Sequence, residues 1–192
     1  MDTMTAIEHE DADRAIQLVS GEQLAAMGDL GPCELIDGRI VRMAPTGFMH
    51  GAYEVELAQC LREYAKRTGA GKVVAGEVGI YIRRRPDRIR AADVAFISNE
   101  RFAQIRSSSY LDVAPDVVVE VLSPEDTWTQ TMDKLRDYFS IGVRSVWVAD
   151  PKSHSIFVYH ALTSVREFGA EETLVDEVLP GFATGVGELF AV

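Results

Sequence analysis

The chain has only two cysteines, Cys33 and Cys60, and they lie far apart in unrelated contexts. That excludes a disulfide framework and a paired-cysteine zinc site, and it predicts two reduced, partly buried thiols. No stretch approaches the apolar length that crosses a bilayer, and the polar start MDTMTAIEHEDADR has neither the basic end nor the hydrophobic middle of a secretory signal. The expected setting is therefore the cytoplasm, with no membrane partner. Positive charge is also scarce: 19 Lys and Arg stand against 30 Asp and Glu, a formal net charge of −11. A field of that sign disfavours broad attraction to nucleic acid, while leaving room for a locally basic site or for a metal whose charge the count omits. There is no GxSxG nucleophile turn. Gly69, Gly71 and Lys72 fall short of a phosphate loop, because Val73 stands where a hydroxyl residue is needed and a strand pattern follows.

What is present suffices for a core. At 192 residues and 47% apolar content the chain reads as a flexible tail over 1–18 and a single domain over 19–192. Ser20 with Gln23 predicts a capping box for a short helix through Met27, and Asp37 with Gly38 predicts the tight turn of a hairpin within CELIDGRIVRM. A longer helix is expected from about His50 to Arg67, with Val55, Ala58, Leu61 and Ala65 inside and Glu54, Arg62 and Lys66 mostly outside. Strands at about Lys72 to Ile82 and Arg90 to Ile97, joined by RRPDR, form an antiparallel pair, and a loop with one helical turn near Phe102 follows. The order of elements predicts an α/β or α+β fold: a mixed sheet flanked by helices, with an N-terminal helix and hairpin.

Residues 115–150 are the centre of the pattern. Val117 to Leu122 reads as a strand buried on both faces, Thr127 to Ser140 as a helix with Trp128, Met132, Leu135 and Phe139 on one side, and Val146 to Ala149 as a second strand. Gly142 supplies the helix stop. Ser155 to Tyr159 continues the sheet after a turn at Asp150 to Lys152, and TLVDEVLPGF suggests one more edge strand before an irregular tail. Trp128 and Trp147 both read as core.

Charged groups break this apolar frame at a few positions. Glu120 interrupts VVVEVLS, and Asp93 interrupts RIRAADVAFIS; a buried carboxylate needs a partner, a proton or a metal. Two such acids on neighbouring strands repel unless something positive lies between them. A divalent cation held with the Val121 carbonyl is one solution, and pairing with arginines or exposure at strand ends is the other. Lys134 lies on the following helix and reads either as a solvated lysine or as one that reaches back over the strand ends to the acids. Glu77 is an additional ligand, a base or an exposed strand acid. His50 opens a helix, where it caps or lines a cleft, and Glu34 completes a metal site or binds a backbone amide. Arg83, Arg84, Arg85, Arg88 and Arg90 lead into the strand of Asp93, as phosphate contacts or as a solvated hairpin tip.

An acid in a strand, an acid ending a second strand and then a lysine resembles the PD-(D/E)XK nuclease superfamily. ELIDGRIVRMAPTGFMH, AADVAFIS and PDVVVEVLSPEDTWTQTMDKLRDYFSIGVRSVWVADP together resemble its Uma-two restriction-endonuclease type over roughly 20–160. Here Ala92 precedes Asp93 where the family usually has proline. Leu122 stands two beyond Glu120 where the superfamily has its lysine, and Lys134 matches a lysine moved to the helix. The resemblance implies a restriction-endonuclease-like sheet and a Mg²⁺- or Mn²⁺-dependent endonuclease on DNA. Asp93, Glu120 and Lys134 would be catalytic, Asp93, Glu120 and the Val121 carbonyl would hold the metal, and the protein would form a homodimer or higher homo-oligomer. The alternative is a nuclease-fold binding or assembly module without catalysis. Asp116 looks like the acid of a PD motif, but it lies four residues from Glu120, about 13 Å along a strand, too far to share its metal.

Overall fold

The computed structural model describes residues 18–192, so the tail expected over 1–18 lies, but for Leu18, outside the described residues. The N-terminal capping box forms as predicted: Ser20 accepts from the Gln23 amide and Gln23 answers, opening α1 (Gly21–Ala26). Next comes the hairpin β1 (Cys33–Ile36) and β2 (Arg39–Arg42), turned at Asp37 and Gly38 with φ of 53° and 78°. α2 (Phe48–Thr68) ends on Gly69 in the left-handed region, φ 67°. The long antiparallel strands β3 (Gly71–Arg83) and β4 (Arg88–Ser98) lead into the short helix α3 (Asn99–Phe102). β5 (Val117–Val121), α4 (Trp128–Ser140) and β6 (Ser145–Asp150) form the expected strand, helix, strand unit, with β5 and β6 parallel. β7 (Ser155–Ala161) and β8 (Ser164–Phe168) extend the sheet antiparallel to its edge.

The strands run β2-β1-β4-β5-β6-β7-β8, with β3 also paired to β4. β4 therefore meets three strands. β3 runs along its length, β1 pairs only at Leu35 with Ile89, and β5 pairs only from Val94 to Phe96. The sheet forks between β1 and β5, and Asp93 sits at that fork.

Period-two alternation sorts β5 between two layers. Val117, Val119 and Val121 pack with Tyr53, Leu57 and Leu61 of α2, and Val118 packs with Leu135 and Tyr138 of α4. The α2 layer is completed by the C-terminal residues Leu174, Leu179, Phe182, Val186 and Phe190. That segment contains β9 (Thr173–Leu174), β10 (Thr184–Gly185) and α5 (Val186–Leu189).

Three expectations are corrected. The TLVDEVLPGF segment gives a two-stranded ribbon of β9 and β10 rather than an edge of the main sheet, and the edge is β8. On α2, Leu61 and Ala65 are buried and Ala58 packs against the core as expected, but Val55 is 60% exposed, and Tyr53, Leu57 and Tyr64 take the rest of the inner face. Trp147 is fully buried as expected, but Trp128 is 70% exposed. Trp128 opens α4, and the buried side chains of that helix begin only at Leu135. Both cysteines are free and partly buried, and burial pushes the Cys60 thiol up to about 12. No helix among the described residues is long and apolar enough to cross a membrane.

Candidate active site

The end of β5 joins the two layers. Glu120 projects to the α4 side, and α4 is wound so that Lys134 and Tyr138, one turn apart, both reach it. Lys134 Nζ donates to Glu120 Oε2 at 2.5 Å, and the Tyr138 hydroxyl donates to Oε1 at 2.5 Å. Of the two readings of Lys134, a solvated helix lysine or one that reaches back over the strand end, the Glu120 contact is of the second kind. The Thr127–Gln130 capping box and Gly142, φ 92°, fix where the helix starts and stops, and so fix the height of both donors.

Asp93 comes from β4. The β4–β5 register pairs Val94 with Val119, and one further step sets Asp93 opposite Glu120. At that step the ladder gives way to a side chain, since the Val121 amide donates to Asp93 Oδ2 at 2.6 Å. The Val121 carbonyl lies 3.0 Å from His50 Nε2, which is also 3.5 Å from Asp93 Oδ2. A carbonyl only accepts, so Nε2 carries the proton of that bond. His50 Nδ1 is buried with no partner.

Glu54, one turn beyond His50 on α2, completes this corner. One ligand atom each of His50, Glu54 and Asp93 lie within 4.8 Å of one another. Glu54 Oε1 accepts from the Gly76 amide at 2.7 Å. Gly76 and Glu77 both have positive φ, 90° and 54°, at a bulge where β3 slips by one residue opposite Asp93. Burial raises the Glu77 carboxyl above the ordinary range, with the Lys134 ammonium opposing the rise and the Glu120 and Glu54 charges adding to it.

Burial also pushes the Asp93 carboxyl up to about 7, against the Val121 amide and the Lys134 ammonium, with the Glu77 and Glu54 charges adding to the rise. Burial pushes Glu120 up to about 7 as well, despite the stabilising Lys134 and Tyr138. Lys134 is raised: burial alone would lower it, but the surrounding carboxylates, Glu120 first, outweigh that. Negative charge is thus gathered in a low-dielectric corner with one ammonium, a setting that a divalent cation would relieve. The donor set of carboxylates, an imidazole and a backbone carbonyl fits such an ion.

The remaining candidates divide. Glu34 accepts from the Ala91 amide at 3.2 Å and from Arg90 at 2.7 Å, closing the fork below Asp93. The arginines are engaged by acids: Arg83 with Asp37, Arg84 with Glu22 and Asp87, Arg88 with Asp37 and Asp137, Arg90 with Glu34 and Asp137. Arg85 is exposed at the hairpin tip and has no carboxylate partner among the described residues. Asp116 sits at the opposite end of β5, where it accepts from the Ser98 amide and faces Arg101 and Arg144. Glu54 and Tyr138 are the participants that sequence reading leaves out. Their signal is spacing: Glu54 lies four residues after His50, and Tyr138 four after Lys134.

A search of curated proteins found no match. Among solved structures, the chain is similar to a putative nuclease belonging to DUF820 from Anabaena variabilis. The TM-score is 0.75 and the identity 18%, and the match covers 90% of this chain and 98% of that one. At that identity the likeness establishes a nuclease-like fold. The family profile described as Uma2, putative restriction endonuclease, matches residues 20–187, and the chain belongs to that family.

Proposed function

We propose that the protein is a divalent-metal-dependent endonuclease that hydrolyses DNA phosphodiester bonds. The observation that carries this reading is the Lys134–Glu120 contact beside Asp93, which assembles two acids and a lysine from β4, β5 and α4 at one strand end. Asp93, Glu120 and the Val121 carbonyl would hold Mg²⁺ or Mn²⁺, which supplies Lewis-acid polarisation of a phosphodiester and acidifies a water.

The chain's own groups do the rest. Tyr138 and Lys134 each donate to one oxygen of Glu120 and hold its carboxylate from both sides, leaving each oxygen further acceptor capacity. The Val121 amide holds Asp93 in one rotamer. The Lys134 ammonium is placed to orient an attacking water or to offset charge developing on the phosphate. Glu77 stands behind them as a base or additional acid. Of the five arginines near the β3–β4 turn, Arg85 is the one with no carboxylate partner among the described residues, and it would be the one to meet a phosphate. We infer a cytoplasmic setting, as expected from the sequence pattern, and from the family a homodimer or higher homo-oligomer able to cut both strands.

The test is cleavage of plasmid and linear DNA with Mn²⁺ or Mg²⁺. Wild type should cut. Asp93→Asn should abolish cutting, and Lys134→Ala should lower it about a hundredfold or more while the metal still binds. The net charge of −11 and the occupied arginines favour the second reading, a binding or assembly module. Wild type that cuts no DNA or RNA under these conditions decides for that module.

A further inference from the structure

α2 and β3 run side by side away from the site and enclose a groove. Its volume is about 1050 Å³, and it is lined by Val55, Ala58, Arg62 and Lys66 of α2 and by Lys72 and Ala75 of β3, among others. Val55 follows Glu54, and Ala75 precedes Gly76, whose amide donates to Glu54, so one end of the groove opens on the corner that holds Asp93. We propose that this groove binds a single strand of DNA and leads it to the site, with Arg62, Lys66 and Lys72 on its phosphates. The proposal rests on the reading of that corner as a phosphodiester-cleaving site, and it goes beyond it by naming the strand's path and the single-stranded form of the substrate.

Three observations support it. The first is charge. The chain carries −11 overall, yet the groove gathers three exposed cations, none of them ion-paired to a carboxylate among the described residues. Glu63 is the acid in the lining, and it accepts from Gln59 Nε2 at 3.1 Å. Unspent positive charge in so acidic a chain is a local footprint for phosphates. The second is spacing. Arg62 and Lys66 stand one turn apart on the stripe of Val55, Ala58 and Gln59, about 6 Å from each other at their Cβ atoms, which is comparable to the separation of neighbouring phosphates along a strand. The third is size. Val55 and Lys66 are about 16 Å apart along the helix, so a groove of 1050 Å³ has a section about 8 Å across. That admits one strand and excludes a duplex, whose major groove alone is about 12 Å wide.

The grip is on the backbone rather than on base edges. Val55, Ala58 and Val73 give the groove an apolar side for sugars and bases without a hydrogen-bonding code, so little sequence preference is expected. From Gly71 to Ala75, β3 is paired only to β4, so the same wall is a sheet edge, and strand addition by a second copy of the chain is the competing occupant.

Fluorescence anisotropy of the full chain with a short labelled oligonucleotide in EDTA reads binding without catalysis. Wild type should bind the single strand at least about tenfold more tightly than a duplex of the same sequence, and log affinity should fall against log salt with a slope of about −2, the value for three phosphates. Arg62→Ala, Lys66→Ala and Lys72→Ala should each reduce that slope by about 0.7, and the triple variant should bind about a hundredfold more weakly at low salt. Arg62→Lys keeps the charge and should keep the wild-type slope, which a packing role would not require. All three side chains are exposed, and circular dichroism checks that the variants fold. No binding, duplex binding as tight as single-strand binding, or an unchanged slope in the triple variant overturns the groove. A wild-type dimer in sedimentation that the triple variant makes monomeric, with strand binding unchanged, assigns the edge to a second copy and also overturns it. Wild type that binds the strand through these residues but cuts nothing with Mn²⁺ overturns the endonuclease reading and leaves the strand site standing. A triple variant that cuts single strands as well as wild type overturns the groove and leaves the endonuclease standing.

Discussion

Asp93 and Glu120 carry a consequence for stability as well as for chemistry. Each is buried, and its folded carboxyl is pushed up to about 7 from ordinary values of 3.8 and 4.5. Between those ordinary values and 7 the folded protein holds protons that the unfolded chain has released, so raising the pH favours unfolding. Metal-free protein should therefore lose stability as pH rises from about 4 to about 7 through these two groups. Urea denaturation across that range checks it: Asp93→Asn should flatten the slope, and saturating Mn²⁺ should flatten it in wild type. Both acids are legible in the sequence because each interrupts an apolar run. Glu54 is not, because it borders the buried face of α2, and only the arrival of Asp93 beside that border makes it a neighbour of the site.

The element that shapes the corner most is the bulge of β3. Gly76 tolerates its φ of 90°, but Glu77 at 54° holds a conformation that costs an L residue roughly 1–2 kcal/mol. Glu77→Gly removes that strain and adds freedom to the unfolded chain, so the net expectation is unchanged or higher stability, by up to about 1 kcal/mol in urea denaturation. A loss of more than about 1 kcal/mol would mean that the Glu77 side chain itself holds the bulge. The strands on either side are readable from their composition. The one-residue slip is not, since it depends on the pairing of Ala75 with Val94 and Val78 with Ala92. The extent of α4 is likewise readable from its apolar repeat and the Gly142 stop. The exposure of Trp128 is not, because periodicity picks a face without showing where the sheet beneath it ends.

For the whole molecule, the C-terminal segment is fastened through Asp176. This buried carboxylate accepts from Ser145 Oγ at 2.5 Å, Trp147 Nε1 at 2.6 Å, the Val178 amide at 2.8 Å and His160 Nε2 at 3.1 Å. Burial works against its charge, yet these donors hold its carboxyl below the ordinary value. Asp176→Ala would strand buried donors on β6, with an expected cost of about 3 kcal/mol. Hydrogen exchange should quicken across residues 169–192 more than at β4 and β5. Unchanged exchange there would remove Asp176 as the fastening.

By itself the sequence determines the local frame: the capping box at Ser20, the Asp37–Gly38 turn, the strand, helix, strand unit over 115–150 with its Gly142 stop, and the two acids, Asp93 and Glu120, that each interrupt an apolar strand. These are encoded within a few residues of chain, where propensity, periodicity and the cost of burying charge act directly. The tertiary structure alone decides which long-range partners those groups meet. It brings His50 and Glu54 of α2 to Asp93, spends the arginines of the β3–β4 turn on Asp37, Asp137 and Glu34, and lays Lys134 on Glu120. Such pairings depend on strand register and helix rotation, which are set by the packing of large side chains against a shared sheet.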